Sequence, residues 1–171
     1  MEKLIEKFIV QFGLDKNFVD SNLVCVKHKN GENLLIHDNF DSQSLFLYHY
    51  DEKKDMFSPI MQIKYIDRKL DKKEKELYIR RLEFIDNNFK GKGYASTFMK
   101  GLTRYCIVNN IDYITGEFEP LHNEPVKKVR DFYIRNGFAI YTPKGDKQQY
   151  IYKSISFNIE EDMQNLSKYP L

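Results

Sequence analysis

Residues 77–102, LYIRRLEFIDNNFKGKGYASTFMKGL, constrain the fold more than any other stretch. An apolar strand runs into a glycine turn, and the turn opens a helix. At its centre, Lys90-Gly91-Lys92-Gly93-Tyr94-Ala95, two glycines allow a tight bend and close approach of backbone to a ligand. The helix that follows directs its first unpaired N–H groups at the turn, with about half a positive charge from its dipole. Lys90 and Lys92 add formal charge. Such a turn is a cradle for phosphate or pyrophosphate.

The strand ahead of the turn changes phase. Leu77 and Ile79 share one face, but Leu82 and Phe84 are matched on the opposite parity. Strict alternation cannot bury both pairs on one side, so a bulge near Arg80 and Arg81 is expected. A bulge also splays a strand from its neighbour and leaves backbone groups for a ligand.

The rest of the chain supplies a mixed sheet. Leu4, Ile5, Phe8, Ile9 and Phe12 lie at helical spacing and predict an amphipathic helix that docks on a core and ends near Gly13. Strands at 23–27 and 33–37 flank Lys29-Asn30-Gly31, a hairpin turn. Further strands are expected near 45–50 and 59–67, with the charge run at 67–76, DRKLDKKEKE, as a solvated hairpin tip. After the helix that the glycine turn opens come a strand at 112–119, a helix opened by Asn123 and Pro125 and closed by Asn136-Gly137, and a hairpin from 138–142 and 149–156. The expected fold is α/β (α+β): a mixed, mostly antiparallel central sheet with one bulged, splayed strand and flanking helices. At 171 residues, one domain over 1–171 is expected.

Composition narrows the function classes. A net charge of +2 argues for neither nucleic acid nor membrane as partner. The two cysteines, Cys25 and Cys106, form no disulfide framework, which indicates a reducing compartment. MEKLIEKFIVQFGL mixes charges into its apolar residues and lacks a signal-peptide core. No run approaches the roughly 18 apolar residues of a membrane helix, so a cytoplasmic location is expected. His28, His37 and His49 lack ligand spacing, and no metal is expected.

Three motif families place glycines between strand and helix. The GxxxxGK[ST] phosphate loop has no match. The dinucleotide fingerprint GxGxxG is met at Gly91 and Gly93, with Ser96 in its third place, but the turn follows a mostly antiparallel series. The segment resembles the GNAT acetyltransferase superfamily, whose acetyl-CoA loop reads [QR]xxGx[GA]. Gly93 and Ala95 match, and Lys90 stands at the Gln/Arg position with Ile85 five residues before it. Downstream, Phe132-Tyr133-Ile134-Arg135-Asn136-Gly137-Phe138 is similar to the family's FYxxxGF ending. The resemblance covers about 77–156. It departs at the N-terminus, where residues 1–67 offer a helix and extra hairpin instead of a strand and two helices. It departs again at Val126, where the family often has Asn.

This resemblance implies an acetyl-CoA-dependent N-acetyltransferase acting by direct attack in a ternary complex, with acetyl-CoA as co-substrate. The acceptor would be a small-molecule amine or a peptide or protein amine, and the chain a monomer or homodimer. The loop 91–96, namely Gly91, Lys92, Gly93, Tyr94, Ala95 and Ser96, would hold the pyrophosphate, with Lys90 beside it. Glu83, Phe84 and Ile85 would pair by backbone with the pantetheine arm and polarise the acetyl carbonyl. Tyr133 would protonate the leaving thiolate. Glu117 and Glu119, two apart on a strand, are candidates for the base that deprotonates the amine or for cationic-substrate contacts. A non-catalytic acyl-CoA-binding sensor or scaffold is the alternative.

Overall fold

The computed structural model describes residues 2–15, 22–69, 74–118, 126–143 and 148–155. Among these residues eight strands form one sheet: β1 (Leu23–Lys27), β2 (Asn33–Asn39), β3 (Ser44–Asp51), β4 (Met56–Lys69), β5 (Lys75–Phe84), β6 (Tyr113–Phe118), β7 (Ala139–Tyr141) and β8 (Gln149–Ser154). Their order is β1-β2-β3-β4-β5-β6-β8-β7. Every pairing is antiparallel except β5 with β6. Among the described residues the longer helices are α1 (Glu2–Phe12), α2 (Tyr94–Val108) and α3 (Val126–Arg135). No helix among the described residues is long and apolar enough to cross a membrane.

Alternation along the strands sends side chains to two apolar layers. On one face Leu34, Ile36, Leu45, Leu47, Leu77 and Ile79 pack with Phe98, Met99 and Leu102 of α2. On the other, Phe8 of α1 packs with Leu35, Tyr48 and Phe57. The Phe8 ring is fully buried and meets Tyr48 and Phe57 edge-on at 4.9 and 5.0 Å. That burial contributes on the order of 1.5–3 kcal/mol, so the expected amphipathic helix does dock on a core. A polar tie fixes α2 over its face. The buried Asp38 carboxylate of β2 accepts from Tyr65 of β4 at 2.8 Å and from Tyr105 of α2 at 2.5 Å. Burial pushes the Asp38 carboxyl above the usual range, and the two hydroxyl donors oppose that rise.

The middle of the sheet departs from expectation in two places. β4 is longer than 59–67, since its ends pair with β3 and β5, and a register shift between Leu47 and Tyr48 leaves Ile60 as an extra residue beside Pro59. A bulge is where a sheet tolerates proline. The charge run is not wholly a solvated tip. β4 and β5 pair through Arg68↔Glu76 and Lys69↔Lys75, and Glu76 is buried with its carboxylate accepting from Thr115. A hydroxyl on the adjacent parallel strand offsets part of the desolvation of that acid.

The expected bulge in β5 is present. Lys64 pairs with Arg81 and the next residue, Tyr65, with Ile79, so Arg80 is the extra residue. The phase resets as the side chains require: Leu82 and Phe84 pack against the same core as Leu77 and Ile79. The parallel ladder to β6 ends at Ile79↔Gly116, while β6 continues along β8 through Glu117↔Tyr150 and Phe118↔Gln149. Residues 80–84 of β5 and 117–118 of β6 therefore flank a gap with no ladder between them.

Gly116 sits at the apex of that gap. A Cβ there would lie 2.7 Å from the Ile79 carbonyl oxygen and 3.2 Å from Ile79 Cβ. Backbone cannot yield as a side-chain tip does. Gly116→Ala is expected to cost about 2 kcal/mol, a fall in Tm of roughly 4–8 °C for a chain of this size, read by thermal denaturation.

Candidate functional site

The loop after β5 is built from local hydrogen bonds. Ile85 and Asp86 donate their amides to the Ile60 carbonyl at 3.0 and 3.3 Å. The Asp86 side chain then caps a short 3₁₀ turn, Asn87–Phe89, by accepting from the Asn88 amide at 2.9 Å. Gly91 and Gly93 follow at φ +79° and +97°, and α2 begins at Tyr94. Gly93 is the N-cap residue. It has no side chain to cap the helix, and the first turn has no acidic residue. The first intrahelical bond is from the Thr97 amide to the Gly93 carbonyl at 3.2 Å. The preceding amides, Tyr94, Ala95 and Ser96, thus keep the donor character of a free helix start.

Of the side chains in the loop, Lys90 and Lys92 are exposed, and Ala95 and Ser96 are half-buried. Tyr94 is buried, and its ring packs inward. It stacks on His28 at 4.1 Å with a 1° interplanar angle, meets Phe89 edge-on at 5.0 Å, and donates to Glu32 Oε2 at 2.6 Å. Burial and the Glu32 carboxylate push its hydroxyl up to about 12. Tyr94 therefore offers a ligand its amide, while its ring anchors the turn of the β1–β2 hairpin against the loop. His28, Lys29, Gly93, Ser96, Thr97 and Lys100 line an open depression of about 720 Å³ at this junction.

The gap beside β5 is lined by backbone. In an antiparallel ladder, alternate residues turn their N–H and C=O to the same neighbour. Since the Ile85 amide bonds to Ile60 of β4, Glu83 also faces β4, and Leu82 and Phe84 face the gap. Of the three expected backbone positions, Phe84 is on the gap side, whereas Glu83 and Ile85 turn to β4. Leu82 joins Phe84 there. A parity argument locates a bulge more readily than the hydrogen-bonding edge after it. The Glu83 side chain pairs with Arg81 at 2.9 Å. It is partly exposed, and such a pair contributes at most about 1 kcal/mol.

Tyr133 is positioned by the end of α3. The Phe138 amide donates to the Tyr133 carbonyl at 3.1 Å, and the Gly137 amide to the Ile134 carbonyl at 3.0 Å. This bonding closes the helix and fixes its last turn. The Tyr133 ring is buried, 5.3 Å from Phe118, 5.2 Å from Phe132 and 5.6 Å from Phe138. Phe118 lies two residues past Gly116, so Tyr133 packs at the β6 wall of the gap. Burial pushes its hydroxyl up to about 12.

Glu117 is exposed and, by alternation with the buried Gly116 and Phe118, lies on the opposite face of β6. Glu119 and Asn123 lie outside the described residues. Burial pushes the thiols of Cys25 and Cys106 up, which disfavours a nucleophilic thiolate. Among the described residues no group of three or more His, Cys, Asp or Glu side chains is placed to hold a metal ion.

No family model and no curated protein matches the chain. Among solved structures it is similar to a GNAT-family acetyltransferase from Listeria monocytogenes, with a TM-score of 0.49 at 13% identity. That match covers 66% of this chain and 64% of the Listeria chain. It is also similar to Arabidopsis thaliana Naa50 in complex with a bisubstrate analogue, CoA-Ac-MVNAL, with a TM-score of 0.47 at 19% identity over 66% of this chain and 73% of that one. A GNAT-family acetyltransferase from Bacillus anthracis gives 0.47 at 16% identity over 68% and 69%.

Proposed function

We propose that the chain is an acetyl-CoA-dependent N-acetyltransferase of the GNAT type that transfers the acetyl group directly to an amine. The observation that carries this reading is the coincidence of three features. β5 bulges at Arg80, it parts from β6 after Ile79, and the loop that follows it leads to an uncapped helix start with no acidic residue. A ligand that is anionic at one end and an extended chain of amides at the other fits that sequence of surfaces. Its pyrophosphate would meet the amides of 91–96, and its arm would pair with the gap-side backbone of Leu82 and Phe84.

The chemistry follows from the two faces of the sheet. An amine nitrogen attacks the thioester carbonyl carbon, and the resulting oxyanion takes a hydrogen bond from a gap-side amide of β5. The C–S bond breaks as the carbonyl re-forms, and the proton lost by the attacking nitrogen passes through water to the leaving thiolate, which departs as the free thiol. Tyr133 stays protonated, since its hydroxyl is held at about 12. A free thiol titrates near 8.5, so outright proton transfer to sulfur is uphill. Tyr133 acts chiefly by donating a hydrogen bond as charge develops on the leaving sulfur. A lysine-like amine needs about 4.6 kcal/mol to deprotonate at pH 7. Glu117, on the opposite face, would take that proton through water or attract the cationic acceptor.

The test is release of free coenzyme A thiol from acetyl-CoA across a panel of polyamines, aminoglycosides and N-terminal or lysine peptides. Turnover on at least one amine class is expected. Coenzyme A binding without thiol release on any amine would assign a non-catalytic binding role.

A further inference from the structure

We infer that the turn of the β1–β2 hairpin forms the second wall of the phosphate site, with His28 Nε2 and Lys29 Nζ binding a phosphoryl group opposite the α2 amides. The inference rests on the coenzyme A reading above and extends it to a segment outside the recognisable motifs.

The tautomer of His28 carries the argument. Its Nδ1 lies 2.7 Å from Asn30 Oδ1, and the same oxygen accepts from the Glu32 amide at 3.1 Å. An atom that accepts a backbone N–H is the carbonyl oxygen of the amide group, so Nδ1 carries a hydrogen. Nε2 remains. His28 is only 4% exposed, and Nε2 is buried with no hydrogen-bond partner. A buried polar atom without a partner is uncommon and calls for a ligand or another explanation.

Nε2 faces the helix start. A Cβ on Gly93 would lie 3.4 Å from His28 Nε2, 3.2 Å from Lys29 Cε and 3.4 Å from Lys29 Nζ. Stacking on Tyr94, the first residue of α2, holds the imidazole in this position. Three lysines line the depression: Lys27, Lys29 and Lys100. The nearby acid, Glu32, accepts from Tyr94 and lies 3.9 Å from His49 Nε2. A phosphoryl oxygen at the mouth of the depression would receive Nε2–H from the protonated ring, the Lys29 ammonium, and amides of the first turn. A neutral ring offers Nε2 only as an acceptor, so an anion selects the imidazolium.

Isothermal titration of the chain with coenzyme A and with dephospho-coenzyme A tests this. Lys29 is exposed, so Lys29→Ala leaves the hairpin packing intact. His28→Gln is the second variant, with a thermal melt to establish folding. Lys75→Ala, at the far end of β5, controls for the loss of one positive charge. Kd for coenzyme A is expected to rise at least fivefold in Lys29→Ala and in His28→Gln, and to stay within twofold in Lys75→Ala. A loss confined to coenzyme A assigns the site to the 3′-phosphate, and an equal loss with both ligands assigns it to the pyrophosphate. Wild-type affinity in Lys29→Ala overturns the inference and leaves the donor reading standing. No binding of coenzyme A by the wild type overturns that reading and the inference with it.

Discussion

Tyr133→Phe is expected to lower kcat for acetyl transfer by about 100-fold, with KM for acetyl-CoA within about twofold. The substitution removes one oxygen and leaves the ring among Phe118, Phe132 and Phe138, so packing and Tm should change little. In the proposed mechanism it removes the hydrogen-bond donor to the leaving sulfur. Hydrogen bonds aimed at developing charge contribute about 3 kcal/mol each to transition-state stabilisation, which is roughly two decades in rate. A Tyr133→Phe enzyme with unaltered kcat would reduce Tyr133 to a core tyrosine. The pH profile adds a second readout. With the hydroxyl held at about 12, Tyr133 stays protonated through neutral pH. An acidic limb between pH 6 and 8 would therefore belong to the acceptor amine or its base, and it should survive in Tyr133→Phe.

Gly93→Ala is the second substitution with a large expected effect. At φ +97° an alanine is strained, at a cost of about 2 kcal/mol. Its Cβ would also sit 3.2 Å from Lys29 Cε and 3.4 Å from His28 Nε2. The lysine can move aside. The contact with the imidazole is an ordinary van der Waals distance. Gly91→Ala supplies the comparison, because Gly91 has φ +79° but nothing within 4 Å of its added Cβ. Both variants should lose roughly 4–8 °C in Tm. Gly93→Ala should in addition weaken coenzyme A by at least tenfold, about 1.4 kcal/mol, since its methyl fills the approach to the amides. Equal affinities in the two variants would place the phosphates elsewhere.

Much of the fold was legible because it follows from parity and turn chemistry. The switch from Leu77 and Ile79 to Leu82 and Phe84 called for one extra residue, and the structure makes it Arg80. Asn30-Gly31 and Asn136-Gly137 marked a hairpin and a helix end from local backbone preferences alone. Other features depend on contacts between distant residues. Nothing local to His28 announces that its ring will stack on Tyr94, and so the hairpin's place over the glycine loop was not readable. The placement of β8 between β6 and β7 is likewise a pairing choice, fixed by which edge Ile151 and Tyr152 meet. Glu76 belonged to a run of alternating charges and looked solvated. It is buried because the parallel neighbour supplies Thr115. Of the two candidate carboxylates, Glu117 is placed on the face opposite the Tyr133 cluster, and Glu119 stands outside the described residues.

The central claim is that one ligand spans the glycine loop and the gap where β5 leaves β6. Amide hydrogen exchange with and without saturating coenzyme A measures this directly. Slower exchange is expected at the gap-side amides of Leu82 and Phe84 and at 91–96, with the Ile85 amide, already bonded to Ile60, unchanged. Protection confined to other parts of the sheet, or no protection with coenzyme A, would contradict it.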